Sequence, residues 1–129
     1  MSASRTLVSS GSPWEATYSY SRAVRVGNRV VVAGTAPNFG DEPLPADPEL
    51  QARKVYEIIG RSLAEVGASL QDVILTRVYV TDLSYFDGVA KVHGEVFHNV
   101  RPANTTVVVT SLYNPDWMVE IEVEAIVET

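Results

Sequence analysis

The chain is 129 residues long with a net charge of −6 and a pI near 4.8, and its scattered Lys and Arg argue against a nucleic-acid surface. Its 46% hydrophobic and 20% charged residues suit one globular domain over residues 1–129, and no apolar run approaches the ~20 residues of a membrane span. No cysteine is present, which excludes a disulfide framework, thiol catalysis and zinc–thiolate sites, and an N-terminus without a signal-peptide core makes a cytoplasmic protein the expectation.

Taken in chain order, Thr6 to Ser9 reads as a short first strand, ended by the Ser10-Gly11-Ser12-Pro13 loop signal. Trp14 and Tyr18 sit in polar surroundings and are expected to pack at an edge or interface. Tyr20 to Val26 and Arg29 to Thr35 are β-rich runs around Gly27-Asn28, a two-residue hairpin signal. Residues 38 to 46 are a loop by their Gly, Pro and acidic content. Asp47-Pro48-Glu49 gives an N-cap, an N1 proline and an early acid, so a helix starts there. Ala52, Val55, Tyr56, Ile59, Leu63 and Val66 form its stripe, and Gly67 stops it.

Asp72 to Asp82 is a long strand with Thr76, Val78 and Val80 on one face and Arg77, Tyr79 and Thr81 on the other. A second helix begins at Ser84, with Phe86, Val89, His93, Val96, Phe97 and Val100 as its stripe. Pro102 closes it, and Arg101 should be extended because proline follows. Thr105 to Val109 and the run from Val119 then read as two strands joined by one turn at Asn114-Pro115. In the last strand Val119, Ile121, Val123, Ala125 and Val127 share one face. Glu120, Glu122, Glu124 and Glu128 share the other.

The resulting order, β-β-α-β-α-β-β, suits an α+β fold: one mixed sheet with both helices on one face. The other face is then uncovered and needs a partner chain where it is apolar.

Carboxylates are the remaining candidates for chemistry. His93 is expected to pack within its helix and His98 to lie exposed near its end. With no third nitrogen or sulfur ligand, no metal site is expected. No phosphate-binding glycine pattern occurs, and no cofactor is implied. The glutamates of the last strand are either the wet face of a half-buried sheet or include a general base in a cleft. Glu120 and Glu122, about 7 Å apart on one face, would feel each other's charge.

Arg101-Pro102-Ala103 followed by Val119-Glu120-Ile121-Glu122, with Leu112 and Pro115 between them, resembles the signature of the RidA/YjgF family. Tyr20-Ser21-Arg22-Ala23-Val24 and Ala33-Gly34-Thr35 resemble the family's first hairpin. The resemblance spans most of residues 18 to 127. It implies a chorismate-mutase-like (YjgF) fold, a homotrimer with ligand clefts between subunits, and cofactor-independent hydrolysis of reactive imines and enamines to ammonia and a keto acid.

Carried over, Glu120 is the water-handling residue, with Glu122 the alternative if the register slips by two. Tyr20 is a cleft-wall residue, and Ala33 stands where some members have a ligand-facing serine. Arg22 replaces a common glutamine. The family's arginine, which grips the substrate carboxylate, falls on Asn104. A neutral amide holds an anion less well than a bidentate guanidinium, so carboxylate-bearing imines should bind poorly unless Arg22, Arg77 or Arg101 reaches the cleft. Three readings stay open: a hydrolase of a less anionic imine, a non-catalytic trimeric binder of a small metabolite, and the ribonuclease or translation-inhibitor role of some relatives, which the acidic charge disfavours.

Overall fold

The architecture comes from a computed structural model that describes residues 4–128. Strands β1 (Arg5–Val8), β2 (Ala23–Val26) and β3 (Arg29–Thr35) form an antiparallel meander, with the short helix α1 (Pro13–Tyr18) between the first two. Helix α2 (Pro48–Ala64) leads to β4 (Val73–Val80), helix α3 (Phe86–Val96) to β5 (Ala103–Val108), and β6 (Val119–Ile126) is the last strand in sequence. The strand order is β1-β2-β3-β6-β4-β5. This is the expected mixed α+β sheet, with β4 and β5 its parallel pair.

The two long helices lie on one face, and the core between them and the sheet follows the expected stripes. Val55, Ile59 and Leu63 of α2 and Val89 and Val92 of α3 are buried against Val30, Val32, Val78, Val80, Val119, Ile121 and Val123. Helix α2 begins as expected: the Asp47 side chain accepts from the N–H groups of Glu49 and Leu50 at 2.9 and 3.1 Å. Gly67, at φ +76°, supplies the left-handed turn beyond its end. Among the described residues, no helix is long and apolar enough to cross a membrane.

Three expectations need correction. Trp14 and Tyr18 lie on α1, which the loop signal Ser12-Pro13 concealed. Ser12 caps the helix and Pro13 is its first residue, and the two rings, one turn apart, stack with centroids 5.7 Å apart. The segments around Asn114-Pro115 are not a hairpin, because β4 lies between β5 and β6 and pairs with both. Arg101 is not extended. Its φ is +56°, and its N–H donates to the Phe97 carbonyl at 2.9 Å, so it ends the helical segment as a left-handed cap. Such a cap satisfies the steric demand of the following proline as well as a strand would, since both leave the right-handed helical region.

One buried polar residue ties the loops to this frame. Gln51, wholly inaccessible, donates to the carbonyls of Pro45 and Asp116 and accepts from the N–H of Met118 at 2.7 Å. Its amide therefore anchors both the 38–46 loop and the turn leading into β6. Gln51→Ala would take this partner from three part-buried backbone groups and leave a cavity in place of a buried side chain. Urea denaturation should show a loss of about 1–3 kcal/mol. Arg53→Ala, which breaks an exposed ion pair with Glu95, should change stability by no more than about 1 kcal/mol.

Candidate functional site

The helix-free face of the sheet carries a row of charge on β6. Glu122 accepts from the Tyr79 hydroxyl and lies 4.0 Å from Arg77. Glu124 pairs with Arg29 at 3.1 Å and Arg77 at 3.7 Å. Glu120 has neither an ion pair nor a hydrogen bond among the described residues. It is half-buried, and burial pushes its carboxyl above the ordinary value of 4.5, with nearby Arg22 opposing and Glu122 assisting the shift. Glu122 is therefore engaged by Tyr79 and Arg77, whereas burial without a partner holds the Glu120 carboxyl above its ordinary value.

A slip in strand pairing makes room for it. Val32 of β3 pairs with Val123 of β6, but Thr35 pairs with Ile121, so Ala33 and Gly34 bulge against a single residue of the partner strand. The Glu120 carboxylate lies over Gly34, where a Cβ would come within 2.6 Å of its Oε1. Arg22 stands across from Ala33, whose N–H donates to the Arg22 carbonyl at 3.0 Å, and its guanidinium donates through Nη2 to the Gly34 carbonyl. Desolvation lowers the Arg22 pKa, opposed by Tyr20, Glu15 and Glu120. Of the expected site residues, Tyr20, Arg22, Ala33 and Glu120 thus gather at one place. Gly34, flagged only as part of the hairpin resemblance, is what lets them meet.

Asn104 lies elsewhere. It pairs in register with Thr76, a core-facing residue of β4, and therefore faces the helices, whereas Glu120 faces away from them. The two are separated by two strand spacings, about 10 Å, as well as by the sheet. The Asn104 amide donates to Thr76 Oγ1 at 2.9 Å and accepts from the Thr106 hydroxyl at 3.2 Å. Thr76 Oγ1 lies 2.8 Å from His93 Nε2, and the His93 ring packs against Tyr56 and Phe97. His93 is the packed helical residue expected, and His98 is exposed. Arg101 joins His93, His98 and Phe97 around a pocket of about 420 Å³. The expected site residues therefore fall into two groups, one around Glu120 and one around Asn104, that do not converge within one chain. Among the described residues, no group of three or more His, Cys, Asp and Glu could hold a metal ion.

A larger groove of about 990 Å³ opens beside the Glu120 group. Tyr20, Arg22 and Thr35 line it with Trp14, Phe39 and Trp117, so the loops anchored by Gln51 form part of its wall.

A family model described as endoribonuclease L-PSP matches residues 10–127. The chain belongs to the RidA/YjgF family. A RutC family protein from Pyrococcus abyssi is 38% identical over 80% of this chain and 82% of its own length. A relative from Acinetobacter baylyi named 3-aminoacrylate deaminase RutC is 33% identical over 79% of this chain and 82% of its own. Among solved structures, a YjgF/YER057c/UK114 family member from Mycobacterium tuberculosis is similar at a TM-score of 0.88 and 45% identity, covering 96% of this chain and 100% of that one.

Two outcomes test this geometry. Gly34→Ala should push the Glu120 carboxylate aside while sparing the fold, because the far end of a flexible side chain can yield. A crystal structure of the variant would show the displaced carboxylate, and the melting temperature should change little. His93 is held below its ordinary 6.5 by burial, so the unfolded chain takes up the proton first as pH falls. Stability should then decline as pH drops through 6.5 and level off below the depressed folded value. His93→Gln should flatten that part of the curve.

Proposed function

We propose that the chain is a cofactor-independent hydrolase of small reactive imines or enamines, working as a homotrimer with clefts between subunits. The observation that carries this is Glu120: of the carboxylates on β6's open face it alone has no partner among the described residues, and burial raises its basicity. In the reaction, water oxygen bonds to the imine carbon while Glu120 takes one of the water's protons and passes it to the imine nitrogen, giving a carbinolamine. The nitrogen then takes the hydroxyl proton by way of Glu120, the C–N bond breaks as the C=O bond forms, and ammonia leaves with the carbonyl product. The relative named 3-aminoacrylate deaminase bears the name of an activity of this kind.

The open face of the sheet supports the trimer. Leu7, Val24 and Val31 stand in register across β1, β2 and β3 on the helix-free face, and Leu7 and Val31 are exposed. An apolar row of this kind calls for cover, and a shared cleft requires that one chain's Glu120 meet a neighbour's Asn104 across that interface. Light scattering should give the mass of three chains; a monomer at micromolar concentration would remove the shared cleft.

Position 104 sets the substrate preference. The Asn104 amide is neutral and engaged with Thr76 and Thr106, so a simple amino-acid-derived carboxylate finds no grip there. Asn104 also favours a second reading, a non-catalytic trimeric binder of a small metabolite. Ligand-induced thermal shifts without turnover would select it. The ribonuclease activity in the family's description fits poorly with a net charge of −6.

If Glu120 activates water, Glu120→Gln should cost on the order of 10²–10⁴ in rate. Glu124→Gln, which only breaks ion pairs on the open face, should cost little; equal losses would misplace the base. Wild type should be slow on 2-aminoacrylate, and Asn104→Arg should improve it chiefly through KM. No gain from that substitution would show that position 104 does not govern carboxylate binding.

A further inference from the structure

Arg22 has bonding capacity that the protein does not use. A guanidinium offers five N–H donors. Here Nη2 donates to the Gly34 carbonyl, and Nε is buried with no hydrogen-bond partner. Arg29, Arg53, Arg61 and Arg77 each lie within 4.0 Å of a carboxylate, and Arg22 does not among the described residues. Of the two carboxylates whose charge it feels, Glu15 is already engaged by the N–H and hydroxyl of Ser10. Glu120 is the other. A partly desolvated cation with a buried donor left over is costly unless something anionic completes it.

What lies in front of Arg22 indicates what that anion is attached to. The groove it lines, at about 990 Å³, is near the upper end of the roughly 300–1,000 Å³ typical of small-molecule sites. Its walls include Trp14, Tyr20, Phe39 and Trp117, and the chain has only two tryptophans. Aromatic faces and edges favour a flat, apolar group between them. Glu42 and Glu65 also line the groove, so net charge does not draw an anion in. Arg22 and Arg61 balance those two acids in the lining, and Arg61 is paired with Glu57, so Arg22 is the cation left to draw an anion in.

We propose that this groove binds an aromatic carboxylate, with Arg22 holding the carboxylate and the ring lodged among Trp14, Tyr20, Phe39 and Trp117. The assignment deepens the hydrolase reading and rests on it. The substrate class becomes imines and enamines of aromatic amino acids, whose carboxylate is held by Arg22 in place of the missing arginine at position 104.

Both tryptophans line the groove, so their emission reports on its occupancy. The probes are 3-phenylpropionate, its uncharged amide 3-phenylpropanamide, and propionate, titrated against the intact wild-type chain. 3-Phenylpropionate should shift the emission and bind at least about tenfold tighter than the amide, the size expected when a charge-assisted pair replaces a neutral one. It should also bind tighter than propionate, which lacks the ring. Arg22→Gln should abolish the preference for acid over amide while leaving amide binding in place. Glu120→Gln removes a neighbouring negative charge and should tighten acid binding a few-fold without changing the amide.

Equal binding of acid and amide by wild type, emission unmoved by either, or a preference that survives Arg22→Gln would overturn the proposal. Should Arg22→Gln fail to fold, the wild-type comparison of acid with amide decides alone. Acid-selective binding without turnover of a phenylalanine-derived imine would keep the site and remove the hydrolase reading. Turnover of small imines with no acid preference would do the reverse.

Discussion

The site depends on a mismatch of one residue between two strands. If β3 and β6 paired evenly from end to end, every residue of β3 would oppose one of β6, and a side chain would stand where Gly34 now leaves space. The bulge at Ala33-Gly34 breaks that ladder next to Glu120. It lets a carboxylate lie across the backbone of the neighbouring strand and turns the Gly34 carbonyl towards Arg22. A bulge increases local twist and re-aims side chains. In this chain it separates one glutamate from a face on which the next two are locked into ion pairs.

That separation explains why three chemically identical side chains have different prospects. Glu122 and Glu124 have Arg29, Arg77 and Tyr79 within reach. They act as the cross-strand pairs that hold β3, β6 and β4 in register on an uncovered face. Glu120, three residues from the well-paired centre of the sheet at Val123, loses water without gaining a partner. Burial raises the basicity of a carboxylate only while no cation completes it. Arg22 is close enough to temper the shift and too far to cancel it. A water or an anionic ligand between the two would experience both charges.

Much of the frame was legible in the sequence because its signals are local. Asp47-Pro48-Glu49 and the stripe from Ala52 to Leu63 specify α2, and the strict alternation after Val119 specifies β6. Helix α1 was hidden because six residues cannot show a period, and the serine and proline that start it are also loop signals. The pairing of β5 was hidden for a different reason. Which strands become neighbours is decided by how the connecting helices pack, and nothing in Thr105–Val109 or the Asn114-Pro115 turn records that β4 will lie between them. The left-handed Arg101 was obscured because a following proline forbids one conformation without choosing among the others.

Within the site, Tyr20, Arg22, Ala33 and Glu120 were identifiable through resemblance to a family, and the structure brings them together. The resemblance put Glu120 ahead of Glu122, but strand alternation points both the same way, and the partners Arg77 and Tyr79 that distinguish them are not legible in the sequence. The central claim is that Glu120 is a desolvated, unpaired base. The direct measurement is an NMR pH titration of the Glu120 side-chain carboxyl carbon in the folded wild-type chain. A midpoint above the ordinary 4.5 is the expected result. A midpoint at or below that value would mean that water or a cation completes the carboxylate, contradicting the account.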